Sequence, residues 1–490
     1  MIVKIDKSEF ENYLCDAANI KGNCEKVFFP ENKSEIVEIL KNANEQKLQV
    51  TVSSARTGLT GGSVPESGIL ISLEKLNKII SLDVENKFII VEPGVLLSDL
   101  QKLVESKNLF YPPDPTETNS SIGGNVATNA SGARTFKYGS TRNFVEELEI
   151  ILPNGEEINL KRGENFAKEF CGIICTNENR IVEVPIPNYE MPNVKHAAGY
   201  FAHKNMYLID LFIGSEGTLG IITSIKLKLI DLPKQILSMI IFFESEENVF
   251  SFLGDIKEKC NNFNSQIDLR EIEFFDENSL KLLLNEFPNI PENSKGAIWI
   301  EQELNNDEDE VLNEIIELIE INNGNLENIW FAIDENERNK MKLFRHSIAL
   351  KVNDIISQRG LKKVGTDNAV PDGKFIEFYK YTCNLIKNNN LDYVVYGHIG
   401  NSHLHFNMLP KTTKELELCR NLYRDICNYS VKLGGTISAE HGIGKYKRDF
   451  LLDMFGEVNI LQMAKLKKTL DSNIILNLNN IFDKKFLTQV

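Results

Sequence analysis

Four of the seven histidines in this 490-residue chain stand in two short segments whose other residues suit ligand chemistry. The first is Tyr396-Gly-His-Ile-Gly-Asn-Ser-His-Leu-His-Phe-Asn407. The second, Ser438-Ala-Glu-His-Gly-Ile-Gly444, sets Glu440 and His441 side by side among small residues. Imidazoles with a carboxylate are the donor set of a catalytic zinc-type centre, which keeps one coordination position for water or substrate. A lone histidine on a strand is more often a hydrogen-bonded core residue. Three on one hairpin, followed by a Glu-His pair flanked by glycine, depart from that pattern. His403 is the weakest member, since it can simply pack or hydrogen-bond near the mouth of the site.

The hairpin follows from local pattern. Leu391 to Tyr396 is β-rich, Gly400-Asn401-Ser402 supplies a turn, and His403 to Leu409 alternates, which reads as two strands joined by a short polar loop. Strand side chains alternate with period two. His403, His405 and Asn407 therefore share a face, and the first strand delivers His398 at the loop end.

Upstream, Ser34 is placed to cap a helix over Glu35–Lys47, with Ile36, Val37, Ile39 and Leu40 as its apolar stripe. Residues 1–30 read as mostly helical and then irregular. A strand Leu48–Val52 runs into the loop Ser53–Pro65, and further strands are expected at Gly68–Leu73, Ile79–Asp83 and Lys87–Glu92. The stretch Pro112–Arg134 has no amphipathic period and few charges. Its small side chains let backbone approach a ligand, and successive free N–H groups make an anion-binding concavity. A surface loop of that length would be unusual without a function. Asp210–Thr223 is a third glycine-rich stretch. None carries the Gly-x-Gly-x-x-Gly of a Rossmann unit or the Gly-Lys-Ser/Thr of a P-loop, so together they suggest a phosphate-bearing cofactor held differently.

Residues 235–430 alternate strands (Ile236–Phe243, Ile267–Phe274, Gly296–Gln302) with helices (Glu246–Lys259, Glu277–Glu286, Asp309–Ile321). That rhythm implies helices on one face of a sheet, an α+β cap. Residues 431–490 carry the Glu-His loop and two helical stretches. With 42% hydrophobic and 25% charged residues the chain suits two or three globular domains. Its net charge of −16 disfavours nucleic acid and anionic membranes. Eight cysteines without any Cys-x-x-Cys argue against an iron–sulfur cluster on this chain and fit a reducing compartment. No signal-like or membrane-spanning apolar run is found, so the expected location is cytoplasmic, with peripheral attachment at the inner face of the membrane as a variant.

Arg56-Thr-Gly-Leu-Thr-Gly-Gly62, Ser121-Ile-Gly-Gly-Asn-Val-Ala-Thr-Asn-Ala-Ser-Gly132 and Gly214-Ser-Glu-Gly-Thr-Leu-Gly220 resemble, in this order, the FAD-binding signatures of the vanillyl-alcohol oxidase / p-cresol methylhydroxylase superfamily. The hairpin and the Glu-His loop resemble its FAD-linked D-2-hydroxyacid dehydrogenase branch, which includes D-lactate dehydrogenases, the glycolate oxidase catalytic subunit and D-2-hydroxyglutarate dehydrogenase. The resemblance runs from about residue 25 to about residue 483. It implies an α+β architecture: a two-part PCMH-type FAD-binding domain over 1–230, a ferredoxin-like α+β cap over 231–430, and a C-terminal helical segment over 431–490 that packs back on the first domain.

The resemblance also implies roles. FAD, bound non-covalently because Ile122–Arg134 offers no His or Cys, would be contacted by Arg56, Thr57, Gly58, Leu59, Gly61 and Gly62. From the second stretch Pro112, Asp114, Ser121, Gly123, Gly124, Asn125, Asn129 and Gly132 would join them, and from the third Glu216, Gly217, Gly220 and Ile221. By residue type alone Asp114 reads as ordinary, as do Arg142 and Lys445-Tyr-Lys-Arg448. A divalent metal, zinc foremost and manganese or iron otherwise, would be held by His398, His405 and Glu440. His441 would be the general base, Asn407 would hydrogen-bond the substrate, and Arg345, by itself an ordinary helix arginine, would clamp its carboxylate. The implied reaction is oxidation of D-lactate or glycolate to the 2-oxo acid with hydride passing to the flavin. D-2-hydroxyglutarate oxidation, a non-redox alkyl-glycerone-phosphate synthase-like reaction and an inactive flavin-binding subunit are the alternatives. The acceptor is open among quinone, cytochrome, an electron-transferring flavoprotein and an iron–sulfur subunit, and a homodimer is compatible. The chain departs from its relatives at Ser54-Ala55-Arg56, where they carry a glycine run, and at Asn401-Ser402-His403, where they carry Asp-Gly-Asn. It departs again at Leu476-Asn-Leu-Asn-Asn480, where they often carry Leu-Asn-Pro-Gly-Lys. None of these changes removes an expected metal ligand or the Glu-His pair.

Overall fold

The computed structural model describes residues 1–304 and 308–490 and distributes them over three larger sheets and two two-stranded ribbons. The first sheet has the order Ile2–Lys4, Lys26–Phe29, Ile69–Ser72, Val50–Ser53, the last three being parallel. Helix Lys33–Glu45 connects two of them and buries Ile36, Ile39, Leu40 and Ala43 against Val50, Ile69 and Ile71. Its cap is Asn32, whose Oδ1 accepts the Glu35 N–H at 3.1 Å, rather than the expected Ser34. Asn32 has the extended backbone that a cap requires. The first 30 residues are not helical. They form a strand, single 3-10 turns and a second strand, because Lys-Val-Phe-Phe at 26–29 pairs with Ile69–Ser72 and with Ile2–Lys4.

The second sheet is antiparallel, in the order Ile79–Asp83, Phe88–Val91, Ile221–Lys228, Val145–Ile151, Glu157–Lys161. Between these sheets the second glycine-rich stretch, expected as loop, contains a helix over Ile122–Thr128. Ser121 Oγ accepts the Gly124 N–H at 3.2 Å, and left-handed Asn129 ends the helix. Seven residues with two glycines are too short and too weak in propensity to show a helical period. Gly123 is required there, since a Cβ would lie 2.5 Å from Pro93 Cβ.

The third sheet has eight strands. Its order is Trp330–Ala332, Gln235–Phe243, Gly296–Leu304, Leu269–Asp276, Tyr393–Gly397, His403–Met408, Val364–Gly365, with Asn368–Ala369 also pairing with His403–Met408. Phe243, Phe274 and Ile300 pack on helices Glu246–Cys260, Phe375–Asn388 and Thr413–Lys432. From the opposite face Phe242, Phe275 and Trp299 pack on helices Glu277–Leu283 and Glu335–Gln358. Helices therefore cover both faces, not one. The cause is in the strands: Leu237 to Phe243 is buried at both parities, so each face must be covered. The hairpin sits in this sheet with Tyr396 opposite His405. Among the described residues no helix is long and apolar enough to cross a membrane.

After helix Arg448–Leu470, which breaks at Gly456, the chain returns to the first sheet. Val50 donates its N–H to Ile475 O, and Asn477 its N–H to Val50 O, both at 2.8 Å. The Asn477 side chain adds two bonds. Its Oδ1 accepts the Val52 N–H at 2.7 Å and its Nδ2 donates to Glu216 O at 2.8 Å. Buried Lys467 holds the same junction, donating to Thr218 O at 2.7 Å and Leu476 O at 2.8 Å and pairing with Asp471. An Asn477→Ala substitution orphans the Val52 N–H, at about 1–3 kcal/mol, and leaves Glu216 O with only the longer 3.3 Å bond from Asn480 Nδ2. The apoprotein of this variant should melt several degrees below wild type, and an unchanged melting temperature would show that the two bonds carry no net stability.

Candidate functional site

A cleft opens between the first two sheets, walled by the loop 52–63, helix Ile122–Thr128, residues 216–222 and Asn477. Arg56, Thr57, Gly58 and Gly62, then Ser121, Gly123, Gly124 and Asn125, then Glu216, Gly217, Gly220 and Ile221 line it, all within the expected flavin set. Ser53 Oγ, Ser63 Oγ and Asn125 Nδ2 are buried in this wall with no protein partner. Unspent donors among glycine backbone are what a phosphate- and ribityl-bearing cofactor requires, so the residues present fit FAD. Ser53, Thr60, Ser63, Pro93 and Asn477 also line the cleft. The serines and Thr60 lie inside the loop quoted above, whereas nothing local marks Pro93 or Asn477.

Six residues of the expected set lie outside this wall: Leu59, Gly61, Pro112, Asp114, Asn129 and Gly132. Asp114 pairs with Arg134 Nε at 3.2 Å, and Gly132 lies so close that a Cβ would sit 2.2 Å from Asp114 O. Asn129 Oδ1 accepts from Ser140 Oγ at 2.9 Å and from the Arg142 N–H at 3.0 Å. Arg142 is itself buried on Asp210, at 3.0 Å. Of the three residues that replace the glycine run, only Arg56 has a positive φ, 60°. Its guanidinium stacks 4.1 Å over the Tyr13 ring. Glu216 spends its carboxylate on the N–H groups of Ile443 and Gly444, at 2.6 and 2.7 Å. Burial pushes its pKa up to about 7 against those donors. It thereby locks the third glycine stretch to the Glu-His loop.

The hairpin brings His398, His403 and His405 against Glu440, with ligand atoms all within 4.8 Å of one another. His398 Nδ1 lies 2.5 Å from Glu273 Oε1, so this nitrogen carries the proton, and Nε2 lies 3.0 Å from Glu440 Oε1. His405 Nδ1 donates to Thr366 O at 2.9 Å, which leaves Nε2 3.8 Å from Glu440 Oε2. An imidazole fixed from behind by a carboxylate or carbonyl is the usual mounting of a metal ligand. Burial lowers the pKa of His405 far below the ordinary histidine value and that of His403 to about 4, so both are neutral donors. At His398 burial opposes the proton, but Glu273 and Glu440 raise its pKa overall. Glu440 stays ionised despite burial, held well below the carboxylate range by His398 and by Lys195, whose ammonium touches Glu440 Oε1. Two anchors here, Glu273 and Lys195, escaped the sequence reading.

So did Asp367. Its Oδ1 accepts the Glu440 N–H at 3.2 Å, and its Oδ2 accepts the His441 N–H at 3.2 Å, Ser438 Oγ at 3.0 Å and Lys447 Nζ at 2.6 Å. His441 Nδ1 lies 3.2 Å from the same Oδ2, and its ring stacks on His405 with centroids 5.8 Å apart. His441 is one-third exposed, so its Nε2 is the open end of an Asp–His pair. Burial opposes ionisation of Asp367, but Lys447 and His441 hold it well below the usual carboxylate pKa. Lys447 is thus a buried structural partner, not a solvated lysine. Arg345 reaches the cluster from helix Glu335–Gln358, its Nε donating to Glu273 Oε2 at 2.7 Å. Asn407 is buried on the His405 face, with Nδ2 donating to His405 O at 3.2 Å.

Residues 24–161 match the FAD binding domain family, and residues 232–481 match the C-terminal domain of FAD linked oxidases. The chain is 32% identical over 483 residues to a D-lactate dehydrogenase of Anaerostipes hadrus, covering 95% of this chain and 92% of that protein. It is 28% identical to the glycolate oxidase subunit GlcD of Bacillus subtilis, over 94% and 89% of the two chains. With a D-2-hydroxyglutarate dehydrogenase of Stutzerimonas stutzeri the identity is 26%, over 93% and 90%. Two solved structures share the fold at 16% identity. One is an alkyldihydroxyacetonephosphate synthase, with a TM-score of 0.66 over 97% of this chain and 81% of that one. The other is a 4-ethylphenol oxidase from Gulosibacter chungangensis, with a TM-score of 0.67 over 99% and 95%.

Lys447→Met leaves Asp367 buried without its ammonium. Breaking a buried pair from one side costs about 3–5 kcal/mol. Chemical denaturation followed at the two tryptophans, Trp299 and Trp330, should register that loss. A change below about 1 kcal/mol would mean the pair is neutral to stability.

Proposed function

This chain belongs to the FAD-linked oxidase family, and from that premise we propose that it oxidises a small D-2-hydroxy acid, D-lactate or glycolate, to the 2-oxo acid. The observation that carries the reading is the convergence of imidazoles on Glu440 beside the Asp367–His441 pair. Bound FAD supplies the acceptor for the hydride leaving the α-carbon, and a divalent cation held by His398, His405 and Glu440 supplies a Lewis acid that lowers the pKa of the substrate hydroxyl.

The chain's own groups do the rest. His441 Nε2 takes the hydroxyl proton, while Asp367 holds the ring by Nδ1 and stabilises the imidazolium formed. Arg345 spends Nε on Glu273, which leaves its two terminal nitrogens as a fork to clamp the substrate carboxylate. Asn407 orients the substrate oxygens. The hydroxyl proton goes to His441, and with FAD bound as the hydride acceptor the products would balance as the 2-oxo acid. The relative of 32% identity is named a D-lactate dehydrogenase, against 26% for the D-2-hydroxyglutarate dehydrogenase, which favours a substrate with one carboxylate over a dicarboxylate. The cleft lining contains no His or Cys, which supports non-covalent FAD.

Under anaerobic conditions D-lactate or glycolate should bleach the bound flavin, with L-lactate and D-2-hydroxyglutarate far slower. Prior chelation should abolish bleaching while the flavin stays bound and is still released by acid. Bleaching that survives complete metal removal would refute the metal's role, and a preference for the dicarboxylate would refute the substrate class. His441→Ala should lower kcat by about 10²–10⁴-fold with a smaller change in KM. The deficit should narrow as pH rises and hydroxide replaces the base. Near-normal kcat at pH 7 would remove His441 from that role.

A further inference from the structure

Each imidazole of the cluster turns one ring nitrogen toward Glu440 and the other toward an acceptor outside the cluster. His398 has Nε2 inward and Nδ1 on Glu273, and His405 has Nε2 inward and Nδ1 on Thr366 O. His403 repeats the arrangement with the nitrogens exchanged. Its Nε2 is 3.1 Å from Asp367 Oδ1 and its Nδ1 is 3.9 Å from Glu440 Oε1. The residue is wholly buried, and neither ring nitrogen meets a protein partner in hydrogen-bonding alignment. Fully buried polar groups without partners are rare, and a missing ion is one of the standard reasons for them. The ring stands 4.7 Å from that of His405, because the left-handed turn at Ser402 starts the strand at His403 and alternation returns His405 to the same face.

We infer that His403 Nδ1 is a fourth protein ligand of the divalent cation, which makes the donor set three imidazoles and one carboxylate. This rests on the metal reading above and deepens it. Four protein ligands would close a tetrahedral zinc ion. A six-coordinate cation keeps two positions, one for the hydroxyl and one for a carboxylate oxygen of a 2-hydroxy acid. The set therefore selects an octahedral first-row dication such as manganese, iron(II) or cobalt(II) over zinc. Asp367, which backs both His403 and His441, would then orient a ligand and the base together.

The test uses the FAD-loaded protein stripped of metal with EDTA and titrated with Co2+, as wild type, His403→Asn, His403→Gln and His405→Ala. Wild type should give the weak visible band of six-coordinate cobalt and three paramagnetically shifted imidazole N–H resonances. Both His403 variants should show two resonances and a shifted band. Their Co2+ affinity should fall by more than the roughly 10–100-fold that loss of an outer partner costs. The rise in melting temperature on adding Co2+ should shrink with it, a readout that survives any destabilisation of the metal-free variant. Unchanged affinity, band and Co2+-induced rise in both variants would make His403 a packing residue and overturn the inference, with the metal site intact. Failure of wild type to bind Co2+ any better than His405→Ala would instead overturn the metal reading itself.

Discussion

Asp367 has two carboxylate oxygens and faces six groups with them: Lys447, Ser438, the N–H groups of Glu440 and His441, and the rings of His441 and His403. The Glu-His loop has little apolar substance of its own, so this buried charge is what gives it a fixed shape. Every donor acts as a geometric constraint, because an ionised carboxylate that leaves water must be compensated in place. The tight path from Ser438 to Gly444 follows. Glu440 is aimed at the histidine hairpin, and His441 is held with one nitrogen occupied and the other open.

A second set of buried polar groups fastens this loop to the cleft. Glu216 receives the N–H groups of Ile443 and Gly444, and its carbonyl receives the side chain of Asn477, whose other end holds Val52. Residues far apart in sequence thus meet at one junction. Such contacts form late and close long loops, so the architecture is costly in folding time. The return is that the cleft and the histidine cluster share rigid partners.

How much of this the sequence disclosed depended on whether a residue's role is local. The hairpin was legible because period two and a Gly/Asn/Ser turn are short-range signals, and the paired strands Tyr393–Gly397 and His403–Met408 follow them closely. Glycine loops were legible as a set, although Pro112, Asp114, Asn129 and Gly132 of the second one lie outside the cleft lining. Asp367, Glu273 and Lys195 were not legible. Asp367 sits in an unremarkable Gly-Thr-Asp-Asn, and Glu273 alternates with Phe274 inside a core strand, where a charge reads as a solvent-facing position. Their significance exists only after the first domain, the sheet and the last loop are brought together. The two-sided covering of the large sheet was not legible because alternation of strands with helices does not say which face each helix takes; it shows in strands such as Gln235–Phe243, buried at both parities from Leu237 on.

Asn477 follows every other residue of the cleft in the chain. Translation is vectorial, so a nascent polypeptide carries its loops and glycine helix for a long interval before the segment that seals them has been made. During that interval the Val52 N–H and the Glu216 carbonyl face water, and the wall they later share with Asn477 is missing. The complete wall of the cleft therefore exists only once the segment carrying Asn477 has been made.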